Sequence, residues 1–81
     1  MRPYEALFDV GAEVAIADLS SLEKFQRTWR FHNPLQSEQL KYADRVTRVA
    51  KVGFYHGGDS LYELEGIPGV WHEACLRKPE D

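Results

Sequence analysis

The run from Val46 to Leu76, VTRVAKVGFYHGGDSLYELEGIPGVWHEACL, constrains the fold more than any other part of the chain. Two stretches rich in β-branched and aromatic residues flank Gly57-Gly58, and a third apolar stretch follows Ile67-Pro68-Gly69. A glycine pair between such stretches marks a hairpin, and Pro-Gly suits a turn. The segment therefore reads as strand, hairpin, strand, turn and closing strand over Val70–Leu76, the back half of a small β-barrel.

Parity fixes the expected register. A two-residue Gly57-Gly58 loop pairs Gly53 with Tyr62 and separates Phe54 from Tyr62 and Leu64. A three-residue loop, Gly57-Gly58-Asp59, pairs Phe54 with Tyr62 and Val52 with Leu64, so that four large apolar groups share one face. The second register buries more and is the one expected, with a bulge at a glycine of positive φ. A one-residue slip exposes the whole set. Val46 and Val49 differ in parity, so a bend is expected between them.

The first half supplies one more strand and a long connection. In Phe8–Ala17, FDVGAEVAIA, Val14 and Ile16 alternate with Glu13, Ala15 and Ala17, a half-buried strand pattern after a turn or bulge at Gly11. Ser20 with Glu23 forms a capping box ahead of Leu22, Phe25 and Trp29 at helical spacing, which predicts a helix over 21–29. Asn33-Pro34 ends it. A second short helix is expected over Glu38–Ala43, with Ser37 as N-cap and Leu40 facing inward. Residues 1–5 and 77–81 read as loose tails of a single domain spanning 1–81.

An 81-residue chain makes one domain, and domains of this size bury only roughly 60% of the surface their unfolded chains expose. At 43% apolar and 12% aromatic the chain carries enough for one core. Thirteen acidic residues against ten basic give a net charge of −3, which argues against nucleic acid as a partner. A lone cysteine, Cys75, forms no internal disulfide and fits a reducing, cytoplasmic setting. No stretch approaches the roughly 18 apolar residues of a membrane helix, and the N-terminal MRPYEALFDVGAEV does not read as a signal peptide.

These pieces occur in an order that resembles the SH3-like barrel of the nitrile hydratase β-subunit and its accessory relatives. The residues that carry the resemblance are Phe8-x-Val10-Gly11-x-x-Val14, then Ala43-Asp44-Arg45-Val46-x-x-Val49 with Asp44 where the family pattern prefers glycine. Gly57-Gly58-Asp59 through Leu61-Tyr62-x-Leu64 follows, and then Val70-Trp71-x-Glu73-x-x-Leu76. Together they cover about two thirds of the chain, with a shorter excursion over 18–44 than the family carries. The resemblance implies a subunit or accessory role. In that family the cobalt or non-haem iron is held by a cysteine cluster of the α-subunit, which a chain with one cysteine does not reproduce, and no catalytic residue carries over.

Motifs of chemistry are sparse. His56, His72 and Cys75 are the candidate metal ligands, but a regular strand points His72 and Cys75 to opposite faces, and a closed zinc site wants four ligands. His72-x-Glu lacks the cysteine pair of zinc deaminases. Cys75 with a histidine has no assignable orienting Asn or Asp for nucleophilic work. Gly57-Gly58 lacks the spacing of a phosphate loop; His56 and Asp59 beside it read as a local clasp. Lys24, Arg27 and Arg30 read as a solvated helix face.

Seven rings, Trp29, Phe31, Tyr42, Phe54, Tyr55, Tyr62 and Trp71, are more than so small a barrel hides, so some should form a contact patch beside the excursion. The expected fold is an all-β, small SH3-like barrel of about five strands, with one or two short helices in a long first connection. The expected function is that of a non-catalytic interaction module without a cofactor. It would be an accessory or subunit-like partner of a larger enzyme, of nitrile hydratase type, and a monomer or weak homodimer by itself. The expected contact surface is Trp29, Arg30, Phe31, His32, Tyr55, His56 and Trp71. The alternative is a small metal- or ligand-binding protein using His56, His72 and Cys75.

Overall fold

The computed structural model describes residues 7–30, 33–54 and 60–79. Five antiparallel strands curl into a small all-β barrel: β1 (Glu13–Ile16), β2 (Val46–Phe54), β3 (Ser60–Leu64), β4 (Ile67–His72) and β5 (Leu76–Arg77), in the spatial order β4-β3-β2-β1-β5. The long first connection carries helix α1 (Leu19–Thr28) and a 3-10 helix over Ser37–Tyr42; a 3-10 turn over Glu73–Cys75 separates β4 from β5. The fold class is the one expected. The closing strand of 70–76 is interrupted, since the chain must turn after His72 to bring Leu76 beside Ile16.

β1 is shorter than 8–17 because Gly11, at φ 88, turns the chain before it, while Gly11 N–H still donates to Val49 O at 2.8 Å. Val14, Ala15 and Ile16 are all buried, so both faces of β1 are covered, rather than one. Phe8, upstream of the turn, packs edge-on against Tyr62 with ring centroids 5.7 Å apart.

The helix begins two residues before the expected start. Asp18, not Ser20, is the N-cap: its carboxylate accepts from Ser21 N–H at 3.2 Å and from the Ser21 hydroxyl at 2.7 Å. An ionised cap also sits well at the positive end of the helix dipole. These bonds from Ser21, aided by Arg77, hold the Asp18 carboxyl below its ordinary 3.8. Leu22 is fully buried and Phe25 and Trp29 are half-buried, as the helical stripe requires. The second helix is 3-10, with Gln36 rather than Ser37 at its cap; Gln36 N–H donates to the Gln39 side chain at 2.8 Å. Leu40 packs on the core, but Gln39 is the more deeply buried.

In the hairpin, Val52 pairs with Tyr62 and Phe54 with Ser60. This is two residues from the expected register, so the faces survive: Val52, Tyr62 and Leu64 still turn inward. Phe54 is carried to the rim, 43% exposed. The expected loop and its glycine bulge, with Tyr55, His56 and Asp59, lie outside the described residues. The register shift falls between Val49 and Lys51, with Ala50 the extra residue, and it puts Val49 and Val52 on one face. Val46 stays half exposed, so no bend is needed before Val49.

Ile67-Pro68-Gly69 is not the turn. Glu65-Gly66 connects β3 to β4, with Gly66 at φ 72 and Leu64 paired with Ile67. Pro68 and Gly69 instead lie inside β4, where the register shifts opposite Tyr62–Leu64 and Gly69 takes φ 98. An edge strand tolerates such a proline, since its missing N–H need not join a ladder. Arg77, expected in a loose tail, pairs with Ala15 and bridges Asp18 at 3.6 Å and Asp44 at 2.9 Å. Asp44 itself stands at φ 65, a left-handed conformation that Asp tolerates better than most side chains.

Candidate functional site

Of the seven residues expected to form a contact patch, Trp71 does not belong to it. Its ring is completely buried beside Tyr62, its pairing partner on β3. Inward parity on a barrel strand places the largest ring where it removes most apolar area from water. Among the described residues its Nε1–H has no hydrogen-bond acceptor, a cost of about 1–3 kcal/mol that the packing offsets. Phe31, His32, Tyr55 and His56 lie outside the described residues. Arg30 is exposed, and Trp29 is half-buried at the end of α1.

Trp29 has a packing task. It stacks on Phe25 at 5.4 Å and lies 4.7 Å from the His72 ring, which Phe25 also meets at 5.0 Å. His72 is buried, and its Nε2 is hydrogen-bonded to Asn33 O at 2.9 Å. The ring thus ties β4 to the middle of the excursion. Cys75 is 1% exposed, and burial pushes its thiol up to about 12, against a smaller opposing effect of a hydrogen bond with the His72 backbone. A thiol this hard to ionise is a poor nucleophile and a poor metal ligand. His72 and Cys75 are both buried, the first against Phe25 and Trp29 and the second in the apolar core. Among the described residues, no group of three or more His, Cys, Asp or Glu is arranged to hold a metal ion.

A polar lock closes one end of the barrel. The Tyr62 hydroxyl donates to Glu73 Oε2 at 2.6 Å and accepts from Phe8 N–H at 3.2 Å, while Leu7 N–H donates to the same carboxylate oxygen at 2.9 Å. Burial, then the bond to Glu73, raises the Tyr62 hydroxyl to about 12. The lock holds the start of the described chain against β3 and the 3-10 turn.

The feature most suited to a partner is a groove of about 510 Å³ between the Ser37–Tyr42 helix and the irregular middle of β4. Gln39 and Tyr42 form one wall; Pro68, Gly69 and Val70 form the other. Gln39 Nε2 donates to Val70 O at 3.1 Å and holds the walls together at the base. Gly69 leaves room for it: a Cβ there would lie 3.0 Å from Gln39 Nε2. A second depression of about 230 Å³, lined by Phe54, Leu61 and Val70 among others, shares Asn33 and Val70 with the first. Together they run from the excursion to the exposed rim at Phe54.

The groove lies beside the excursion, where the contact patch is expected, but it is lined by other side chains. Tyr42 was counted among the rings; Gln39, Pro68, Gly69 and Val70 were not in the expected surface. The available signal was a Pro-Gly pair within an apolar stretch, which marks an irregular edge strand as readily as a turn.

No family model, no curated protein and no solved structure matches this chain.

Proposed function

We propose that this chain is a non-catalytic interaction module, and that the groove between the Ser37–Tyr42 helix and β4 receives its partner. The observation that carries this reading is the shape and make-up of that groove: about 510 Å³, open along an edge strand, with an aromatic ring, two prolines and several amide side chains. Partner surfaces combine apolar anchors with a polar rim, and a groove beside an edge strand accepts an extended segment. The partner is a larger enzyme to which this chain is an accessory or subunit-like component. The resemblance to nitrile hydratase β-subunit barrels favours a hydratase-type enzyme, and the composition favours a cytoplasmic one.

The test is a tagged pull-down from the source cells with mass spectrometry of what survives a salt wash. Wild type, Val70→Arg in the groove and Glu13→Arg on β1 are compared after circular dichroism and melting curves show all three folded. Retention of a stoichiometric enzyme subunit by wild type and Glu13→Arg, with loss in Val70→Arg, supports the reading. Equal retention by all three, or no partner for any, overturns it.

A further inference from the structure

Two cations meet the ring of Tyr42, which lines the groove. Lys41 Nζ lies 5.3 Å from the centroid of the Tyr42 ring, and the Arg45 guanidinium lies 5.6 Å from the same centroid. Lys41 and Tyr42 line the groove, and Arg45 follows on the way into β2. Arg77, by contrast, is neutralised by Asp18 and Asp44. Asp44, the acid nearest Tyr42 in sequence, commits its Oδ1 to Arg77 at 2.9 Å. Among the described residues, neither Lys41 nor Arg45 forms a salt bridge; both meet an aromatic face.

In a chain of net charge −3, two cations on the ring of Tyr42 make a positive spot beside the groove that this ring lines. Cation–ring contacts hold such side chains in place without neutralising them, so their charge stays available to an anion. Glu38 lines the same groove and places a negative charge on this wall too. The wall thus has a polarity: it attracts a carboxylate at the Lys41–Arg45 end and repels one beside Glu38.

Resting on the proposed partner groove, we infer that its occupant is an extended acidic segment of a protein partner, with a carboxylate drawn to the cations on the Tyr42 ring, Lys41 and Arg45. Complementary charge of this kind sets orientation and specificity while the groove supplies contact area.

The experiment titrates the isotope-labelled protein with a short capped peptide alternating Glu and Pro, and with its Gln-Pro counterpart, while amide shifts are followed by NMR. The Glu-Pro peptide is expected to bind about tenfold more tightly, to shift Asn33, Tyr42 and Val70, and to lose that advantage at high salt. The Lys41→Ala/Arg45→Ala double variant, both sites being exposed, is expected to fold normally and to bind the two peptides equally. Equal groove binding of both peptides by wild type overturns the acidic occupant and leaves the groove reading standing. Preference for Glu-Pro that survives in the double variant places the carboxylate elsewhere and also overturns it. Absence of groove shifts with either peptide at about 1 mM overturns the inference, while the Val70→Arg pull-down decides the groove by itself. Tighter groove binding by a single-stranded oligonucleotide than by the Glu-Pro peptide replaces the protein partner with nucleic acid.

Discussion

Gln39 and Val70, separated by 31 positions in sequence, are joined by a 3.1 Å hydrogen bond from the Gln39 side-chain amide to the Val70 carbonyl. The same side chain accepts from Gln36 N–H at 2.8 Å, so one glutamine fastens both its own 3-10 helix and the edge strand opposite.

Gln39→Ala is expected to lower stability by about 1–3 kcal/mol, the cost of leaving partly buried backbone groups without partners. Gly69→Ala is expected to do comparable damage by a different route, since its φ of 98 strains any Cβ and the Cβ meets Gln39. Urea titration checks both. Wild-type midpoints in either variant would contradict the described contact.

Tyr62→Phe removes the hydroxyl that Phe8 N–H and Glu73 share. The ring stays, so the loss isolates the polar lock; about 1–3 kcal/mol is expected, because the Phe8 amide is buried. Amide hydrogen exchange at Leu7 and Phe8 should accelerate more than at β2. Unchanged exchange at both would show that the lock does not hold this segment.

Stability should fall on the alkaline side. Tyr62 and Cys75 both have folded values raised to about 12, from ordinary values of 10.0 and 9.0. Both are acids that the fold keeps neutral. Their contributions are complete below about pH 9 and are lost as pH climbs from there through about 12. Urea midpoints measured across that window should decline, and Tyr62→Phe should decline less. A flat profile in the wild type would contradict the assigned burial.

Cys75 should resist thiol reagents in the folded protein and react promptly in urea, since native labelling needs an opening that exposes a buried, protonated thiol. Prompt native labelling would place it at the surface.

Trp29→Ala is expected to retain the fold and lose about 1–2 kcal/mol, for a half-buried ring stacked on Phe25 and covering His72. Complete unfolding would make Trp29 a core residue.

The faces of the hairpin were legible in the sequence because parity survives a two-residue slip: Val52, Tyr62 and Leu64 turn inward in either register. The helix was legible from Leu22, Phe25 and Trp29, but its start was not, since Asp18 and Ser20 are both acceptable caps and only the three-dimensional position of Ser21 and Arg77 selects Asp18. Gly69 suits a turn and a strand irregularity alike, because both make the same demand for positive φ. A count of rings puts Trp71 at the surface, whereas its inward parity buries it. The groove was the least legible feature. Its organising residue is a glutamine, a type that is usually exposed, and it is buried here only because a carbonyl from a distant strand satisfies it.

The most direct test of the account is amide shift mapping of the isotope-labelled protein against the enzyme subunit recovered by pull-down. The account predicts shifts concentrated at Gly69, Val70 and the non-proline residues of 33–42, with β1 and β5 unaffected. Shifts concentrated on β1 and β5, with the groove silent, would contradict it.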